Sequence, residues 1–315
     1  MAHWNAYHLP QTVEEALSLL STYSGEARVV AGGTDLLLDL EEGSHPPVAA
    51  LVDVSRIAEM QVIERQGAHV LLGAAATHSR IVGTSLLRHA ATCLVESCGV
   101  IGGPQVRNVA TIGGNVGHAL PAADGTVSLV ALDAEAQIAR LTRDGKVARV
   151  WHPILDLFLG PGQLAVDSGR EIITAFRFLA HRPGEGSAFD RIMRPQAVAL
   201  PILGVAARVQ LTPDRERYAQ VAICIGPAGP VPFRPRAAEM ALVGQPVGEK
   251  AVQVAVERAV QEARLRTSKY RATKAYRQEM VRVLLRRVLW RAVDRARVSG
   301  GGPAQVNQQY PESGG

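Results

Sequence analysis

Two glycine turns carry most of the chemistry that this sequence offers. The first is Val29-Val-Ala-Gly-Gly-Thr-Asp-Leu36, and the second is Gln105-Val-Arg-Asn-Val-Ala-Thr-Ile-Gly-Gly-Asn115, followed by Pro121 and Asp124. Glycine has no side chain, so a backbone N–H beside it can approach an anion closely. Two such turns, far apart in sequence, could clasp one extended phosphate-bearing ligand. In the second turn Thr111 offers a hydroxyl, Gly113 and Gly114 offer bare amides, and Asn115 offers a side-chain amide that both donates and accepts. Asp124 is an acceptor suited to ribose hydroxyls. Taken alone, the first stretch is equally readable as a left-handed turn between two elements, and the second as a glycine bulge in a strand.

Other nucleotide fingerprints fail. There is no Gly-x4-Gly-Lys-Ser/Thr loop. Gly160-Pro-Gly-Gln-Leu-Ala165 formally fits Gly-x-Gly-x-x-Ala, but Pro161 and the lack of a preceding strand pattern argue against a Rossmann turn. A nucleotide would therefore rest on the two separated turns.

The elements that must hold these turns follow from periodicity. Thr12-Val-Glu-Glu15 is a capping box ahead of Ala16, Leu17 and Leu20, which predicts a helix over about 13–23. Arg28 to Ala31 reads as a buried strand, and a helical turn starts at Thr34 or Asp35. The strand, the glycine turn and the helix start would aim unpaired amides and a helix dipole at one place. The runs at 50–53, 61–63 and 70–74 look like strands of a second small sheet. A helix over 77–89 and another over 91–100, ended by Gly102-Gly103-Pro104, lead to the second turn. Further on, 205–211 and 219–225 read as a hairpin, 251–264 as a helix, and Val281, Leu284, Leu285, Val288, Leu289, Ala292 and Val293 mark a long amphipathic helix.

Composition sets the class. The 315 residues are 47% hydrophobic and 20% charged, enough for a substantial core and two domains. The longest apolar run, around 197–207, contains a proline and is too short to span a bilayer. The first ten residues lack the basic start and apolar centre of a secretory signal, so a cytoplasmic protein with no membrane span is expected. Cys93, Cys98 and Cys224 give no disulfide framework, and Cys93 and Cys98 lack the further cysteine of a plant-type iron–sulfur run, so they read as packing residues. His78 and His89 have no carboxylate or cysteine at a metal spacing. No metal ligand and no acid–base pair stands out. Residues 264–297 hold twelve Lys or Arg against Glu279 and Asp294. That stripe raises a nucleic-acid-binding module as a rival class, but it lacks interleaved aromatics, and docking on a partner protein suits it better.

With the two glycine motifs in this order and separation, the chain resembles the FAD-binding, or medium, subunit of the molybdenum hydroxylases. That family includes xanthine dehydrogenases, aldehyde oxidoreductases, carbon monoxide dehydrogenases and aroyl-CoA reductases. The likeness extends over nearly the whole chain, through Tyr7-x-Leu-Pro10, Leu51-Val-Asp53, Leu132-Asp-Ala134, Gly169-Arg-Glu-Ile-Ile173, Phe189 to Arg194 and Tyr270-Arg271. Phe158-Leu-Gly-Pro-Gly162 leans toward bacterial xanthine dehydrogenases. The resemblance implies an α+β chain: a vanillyl-alcohol oxidase (PCMH) type FAD domain over 1–178, with subdomains of about 1–55 and 56–178. A C-terminal α+β domain over 179–297 and a disordered tail over 298–315 would follow.

It also implies the site. Val29, Val30, Ala31, Gly32, Gly33, Thr34, Asp35 and Leu36 would wrap the FAD pyrophosphate, while Thr111, Ile112, Gly113, Gly114 and Asn115 would line the flavin and diphosphate. Asp124 would reach the adenosine side, Ile101 would lie close to the isoalloxazine, and Ile173 would supply a backbone contact. The family lysine after Phe189 is replaced by Asp190. The molybdenum cofactor and [2Fe–2S] clusters would reside in a large and a small partner subunit, in a dimer of heterotrimers that delivers electrons to NAD+ or another acceptor. The complex would be xanthine dehydrogenase-like, with the FAD subunit of a carbon monoxide or aldehyde dehydrogenase as the alternative. A stand-alone flavin reductase is the rival within flavoproteins, and it would need a proton donor that nothing here singles out.

Overall fold

The computed structural model describes residues 3–194, 200–269 and 271–299. The expected tail from residue 300 onward, Tyr270 and part of the 197–207 run lie outside these residues.

The chain opens with β1 (Trp4–His8), α1 (Val13–Thr22), β2 (Ala27–Val30), α2 (Leu36–Glu41) and β3 (Val48–Asp53). The three strands form a parallel sheet in the order β1-β3-β2. Thr12 caps α1 by accepting from the Glu15 amide, and Glu15 accepts in turn from the Gln11 amide. Val13, Ala16, Leu17 and Leu20 are buried, as the spacing requires. Asp53 therefore ends a strand of this first sheet, not of the second as its apolar run suggested. The glycine turn after β2 lies at the carboxyl end of a parallel strand, where α/β sheets habitually hold ligands.

Next come β4 (Ile63–Gln66), β5 (His69–Gly73), α3 (His78–Gly83), α4 (Ser85–Ala90), α5 (Thr92–Gly99), α6 (Pro104–Val109), α7 (Ile112–Gly117) and α8 (Asp124–Ala131). They are followed by β6 (Glu135–Leu141), β7 (Val147–Pro153), the short hairpin of β8 (Phe158–Gly160) and β9 (Gln163–Leu164), and β10 (Glu171–Leu179). The strands assemble into an antiparallel sheet ordered β4-β5-β10-β6-β7. Of the strand expected over 61–63, Gln61 ends a 3₁₀ turn over 58–61 and only Ile63 belongs to β4. The helix expected over 77–89 is two helices, because Thr84 is extended at φ −82°, ψ 118° and its hydroxyl bonds back to the Arg80 carbonyl. Residues 104–109, read as a loop, are helical, with Pro104 at the first position where its missing N–H costs nothing.

The last part holds β11 (Glu185–Met193), β12 (Pro201–Leu211), β13 (Tyr218–Gly226), α9 (Arg236–Leu242), α10 (Glu249–Glu262) and α11 (Lys274–Val298). Its antiparallel sheet has helices on both faces. Phe189, Ala206 and Cys224 join the core built by α5, α8, β6 and β10, whereas Ala188, Leu203, Val205 and Ala207 join the core of α10 and α11. The sheet thus welds the C-terminal helices to the N-terminal half. Cys93, Cys98 and Cys224 are fully buried in that packing, and desolvation pushes the Cys93 thiol up to about 11.

The basic face of α11 is largely neutralised within the molecule. Arg282 pairs with Glu257 and Glu279, Arg286 with Glu249, Arg287 with Asp190, and both Arg291 and Arg295 with Glu96. At least five of the twelve cations of the stripe are thus intramolecular anchors.

Candidate functional site

The first glycine turn is built around two close constraints. A Cβ on Gly32 would lie 2.3 Å from the Val109 carbonyl oxygen, so this residue must be glycine for the turn to pack on the end of α6. Gly33 adopts φ +67°, the left-handed region that glycine enters without strain. Among the described residues, the amides of Ala31, Gly32, Gly33, Thr34, Asp35 and Leu36 donate to no protein acceptor. Six consecutive free N–H groups in a half-buried turn leading into a helix are a nest for an anion. Val29 and Val30 lie in β2 beneath it, with the Val29 amide on the Ser168 carbonyl.

The second turn differs from the bare loop expected. It is the first turn of α7, capped by Thr111, and its amides are already engaged. Ile112 donates to Ala76, Gly113 to Ala74 at 2.8 Å, and Gly114 to the Thr111 hydroxyl at 3.1 Å. The Asn115 amide donates to the Thr111 carbonyl. Gly113 is jammed against Ala74, but Gly114 is exposed, and a Cβ there would meet only the Thr111 hydroxyl at 3.3 Å. The Asn115 side-chain oxygen accepts from the Thr126 amide and hydroxyl, which leaves its NH2 group as the donor. Ile173 lies in β10, a strand that packs against this turn. It precedes a bulge in β10, where the Thr174 carbonyl takes the Ala74 amide and Ala74 in turn takes that of Gly113.

The two turns adjoin. Besides the Gly32 contact, His118 at the end of α7 lies 3.4 Å from Asp35 and 3.4 Å from Asp39 of α2. The first turn therefore supplies donors, and the second supplies clearance beside them.

Asp124, Ile101 and the Phe189 to Arg194 segment meet on the other side of α8. Asp124 is 3% exposed; its Oδ2 accepts from Arg191 at 2.5 Å, and Oδ1 is buried without a partner. Desolvation raises its carboxyl to about 6 against the opposing pull of Arg191. Arg191 also donates to the Val100 carbonyl at 2.5 Å, and so fixes the bend that carries Ile101. Arg107 braces the same bend by donating to the Ile101 and Gly102 carbonyls. Arg107, Arg191, Arg291, Phe189 and Glu96 line a cleft of about 650 Å³ beside it. Asp190, standing where the family has lysine, is held by Arg287 at 2.8 Å. Sequence reasoning missed the Arg191–Asp124 pair, since 67 residues separate the partners and no local pattern joins them.

His78 is buried beside the second turn, its backbone on Ala110, whereas His89 is exposed on α4. Among the described residues no group of three or more His, Cys, Asp or Glu could hold a metal ion, and no helix is long and apolar enough to cross a membrane.

Residues 2–178 match the family model for the FAD binding domain in molybdopterin dehydrogenase, and residues 187–292 match the CO dehydrogenase flavoprotein C-terminal domain. The xanthine dehydrogenase FAD-binding subunit of Escherichia coli O157:H7 is 28% identical over 296 residues, covering 93% of this chain and 97% of that protein. The carbon monoxide dehydrogenase medium chain of Hydrogenophaga pseudoflava is 26% identical, covering 81% and 85%. A solved structure of the Hydrogenophaga pseudoflava carbon monoxide dehydrogenase, in a form lacking the Mo-pyranopterin moiety, superposes at TM-score 0.84 with 26% identity, covering 92% of this chain and 97% of that one. These matches, with the α+β architecture and the paired glycine turns, show that the chain belongs to the FAD-binding molybdopterin dehydrogenase family and is the flavoprotein subunit of a molybdenum hydroxylase-type oxidoreductase.

Proposed function

We propose that this chain holds FAD across its two glycine turns and relays electrons from iron–sulfur clusters of a small partner subunit to NAD+ or another acceptor. A large partner subunit would carry the molybdenum cofactor and choose the substrate, in a cytoplasmic dimer of heterotrimers. The observation that carries the reading is the run of free amides from Ala31 to Leu36 beside the open face of Gly114. When bound, FAD supplies a centre that can take electrons singly from clusters and pass them on in pairs.

The residues of the chain then bind and orient. The amides of 31–36, with Val29 and Val30 beneath them, take the diphosphate. Thr111, Ile112, Gly113, Gly114 and Asn115 leave room for the cofactor and offer the Asn115 NH2 group. Ile101 closes one face of the ring system, held by Arg191 and Arg107 through the backbone of its bend. Asp124 acts mainly through Arg191, because it is too buried to be reached without moving that pair. The Thr174 carbonyl braces the second turn through Ala74, and Ile173 beside it would supply a backbone contact to the cofactor. No acid or base of this chain is asked to hydroxylate the substrate.

Co-expression with a large and a small subunit of this family tests the reading. A yellow complex whose flavin bleaches on adding the substrate, and which then forms NADH from NAD+, is expected. A chain that stays colourless after FAD is added, or that turns over a small substrate as a lone monomer, contradicts it.

A further inference from the structure

Arg277 is the exception on α11. The other arginines facing the body of the molecule from that helix reach carboxylates, as Arg282, Arg287, Arg291 and Arg295 do. Arg277 is only 4% exposed and, among the described residues, meets none. Its Nη1 donates to the backbone carbonyls of Ile202 at 2.8 Å and Pro227 at 3.4 Å, and its Nε is buried with no acceptor.

The surroundings add charge of the same sign. Burial and the nearby Arg271 and Arg266 hold Arg277 below the ordinary arginine basicity. The residue also lies in the first turn of a 25-residue helix whose opening residues include Lys274 and no acid. That end of a helix carries partial positive charge and favours anions. A buried guanidinium with an unused donor edge, like-charged neighbours and a helix N-terminus has the attributes of half an ion pair.

We propose that the Nε edge of Arg277, flanked by Arg266 and Arg271, binds an oxyanion, a carboxylate or a phosphate, supplied from outside this chain. The planar guanidinium presents parallel donors that match two oxygens of such a group, and the Ile202 and Pro227 carbonyls fix its plane in advance. The site lies at the end of the β11–β13 sheet, on the α11 side. Ile202 is two residues from Gly204, which packs against Asp124. None of the glycine-turn residues takes part, so the site is independent of the flavin reading.

The test uses the full chain saturated with FAD. Thermal midpoints are recorded at pH 7.5 with inorganic phosphate or sodium acetate, against sodium chloride at equal ionic strength. The expected result is a saturable rise with phosphate, acetate or both over chloride. The rise should vanish in Arg277→Gln, and its half-saturation should move at least tenfold in Arg277→Lys, which keeps a point charge without the planar fork. A rise with phosphate alone assigns a phosphate ester as the natural occupant. A rise with acetate, alone or with phosphate, assigns a carboxylate such as a partner's acidic side chain. No rise over chloride in the natural chain, or an equal rise in Arg277→Gln, overturns the proposal. Should the glutamine variant fail to fold, the natural chain and Arg277→Lys alone still decide.

Discussion

Gly114→Val separates a ligand-binding turn from a structural one. The added side chain meets little protein, since a Cβ at Gly114 would touch only the Thr111 hydroxyl at 3.3 Å. Glycine in a helix is already the poorer former, so folding stability should change by no more than roughly 0.5 kcal/mol. The binding cost is larger. The bulk would hold the diphosphate off the amides of 31–36, and each charge-assisted bond lost is worth about 1.5–3 kcal/mol. Losing two amounts to about 3–6 kcal/mol, or roughly a hundredfold to ten-thousandfold in Kd. Flavin absorbance after purification and a fluorescence titration with FAD read the effect, with thermal unfolding in parallel. Gly32→Ala is the contrasting control. Its methyl group collides with backbone at 2.3 Å, so it should lose stability and flavin together. Normal FAD affinity in Gly114→Val would refute the assigned role, and so would a loss of stability equal to that of Gly32→Ala.

Other expectations concern the packing around the site. His78, buried, and His181, half-buried, are pushed down to about 4 by desolvation, so between about pH 6.5 and 4 the unfolded chain takes up protons that the folded chain refuses. Stability should fall on acidification through that window, by on the order of 3 kcal/mol per histidine. Asp124, raised to about 6, holds its proton in the folded state and opposes this between about pH 6 and 4, but one group does not cancel two. Urea midpoints at pH 4.5 and 7 should therefore differ, and His78→Leu should shrink the gap; an unchanged gap in that variant would count against the linkage. Glu96→Gln should cost about 2 kcal/mol, because Glu96 accepts from Arg291, Arg295 and the Phe189 amide while remaining partly solvated. A thermal midpoint equal to that of the natural chain would deny it this anchoring role. A labelled DNA duplex should show no shift at 150 mM salt, because the arginines of α11 are mostly spent on internal carboxylates. A salt-dependent shift lost in a 1–260 truncation would restore the nucleic-acid reading.

Local signals carried well where one element decides its own shape. The Thr12 cap with Glu15, and the three- and four-residue recurrence from Val281 to Val293, fixed α1 and α11 because capping and an apolar stripe are properties of the helix itself. The strand ending at Asp53 was misassigned for the opposite reason. A short apolar run states that a strand is buried, not which sheet receives it. Thr84 broke a helix whose apolar spacing continues across the break, since a single extended residue leaves the pattern intact.

The deeper difference concerns the glycines themselves. In sequence the two turns look alike, each a Gly-Gly pair after a short apolar run, and both were credited with free amides. Free amides depend on what else is near enough to accept, and that is a tertiary fact. Ala74, Ala76 and Thr111 satisfy the second turn, while among the described residues nothing satisfies the first. A glycine whose N–H is already bonded can still matter, because the absence of a side chain preserves volume regardless of the state of its amide. The two motifs should therefore respond to different perturbations: the first to any substitution that disturbs its backbone, the second, at Gly114, to added bulk alone.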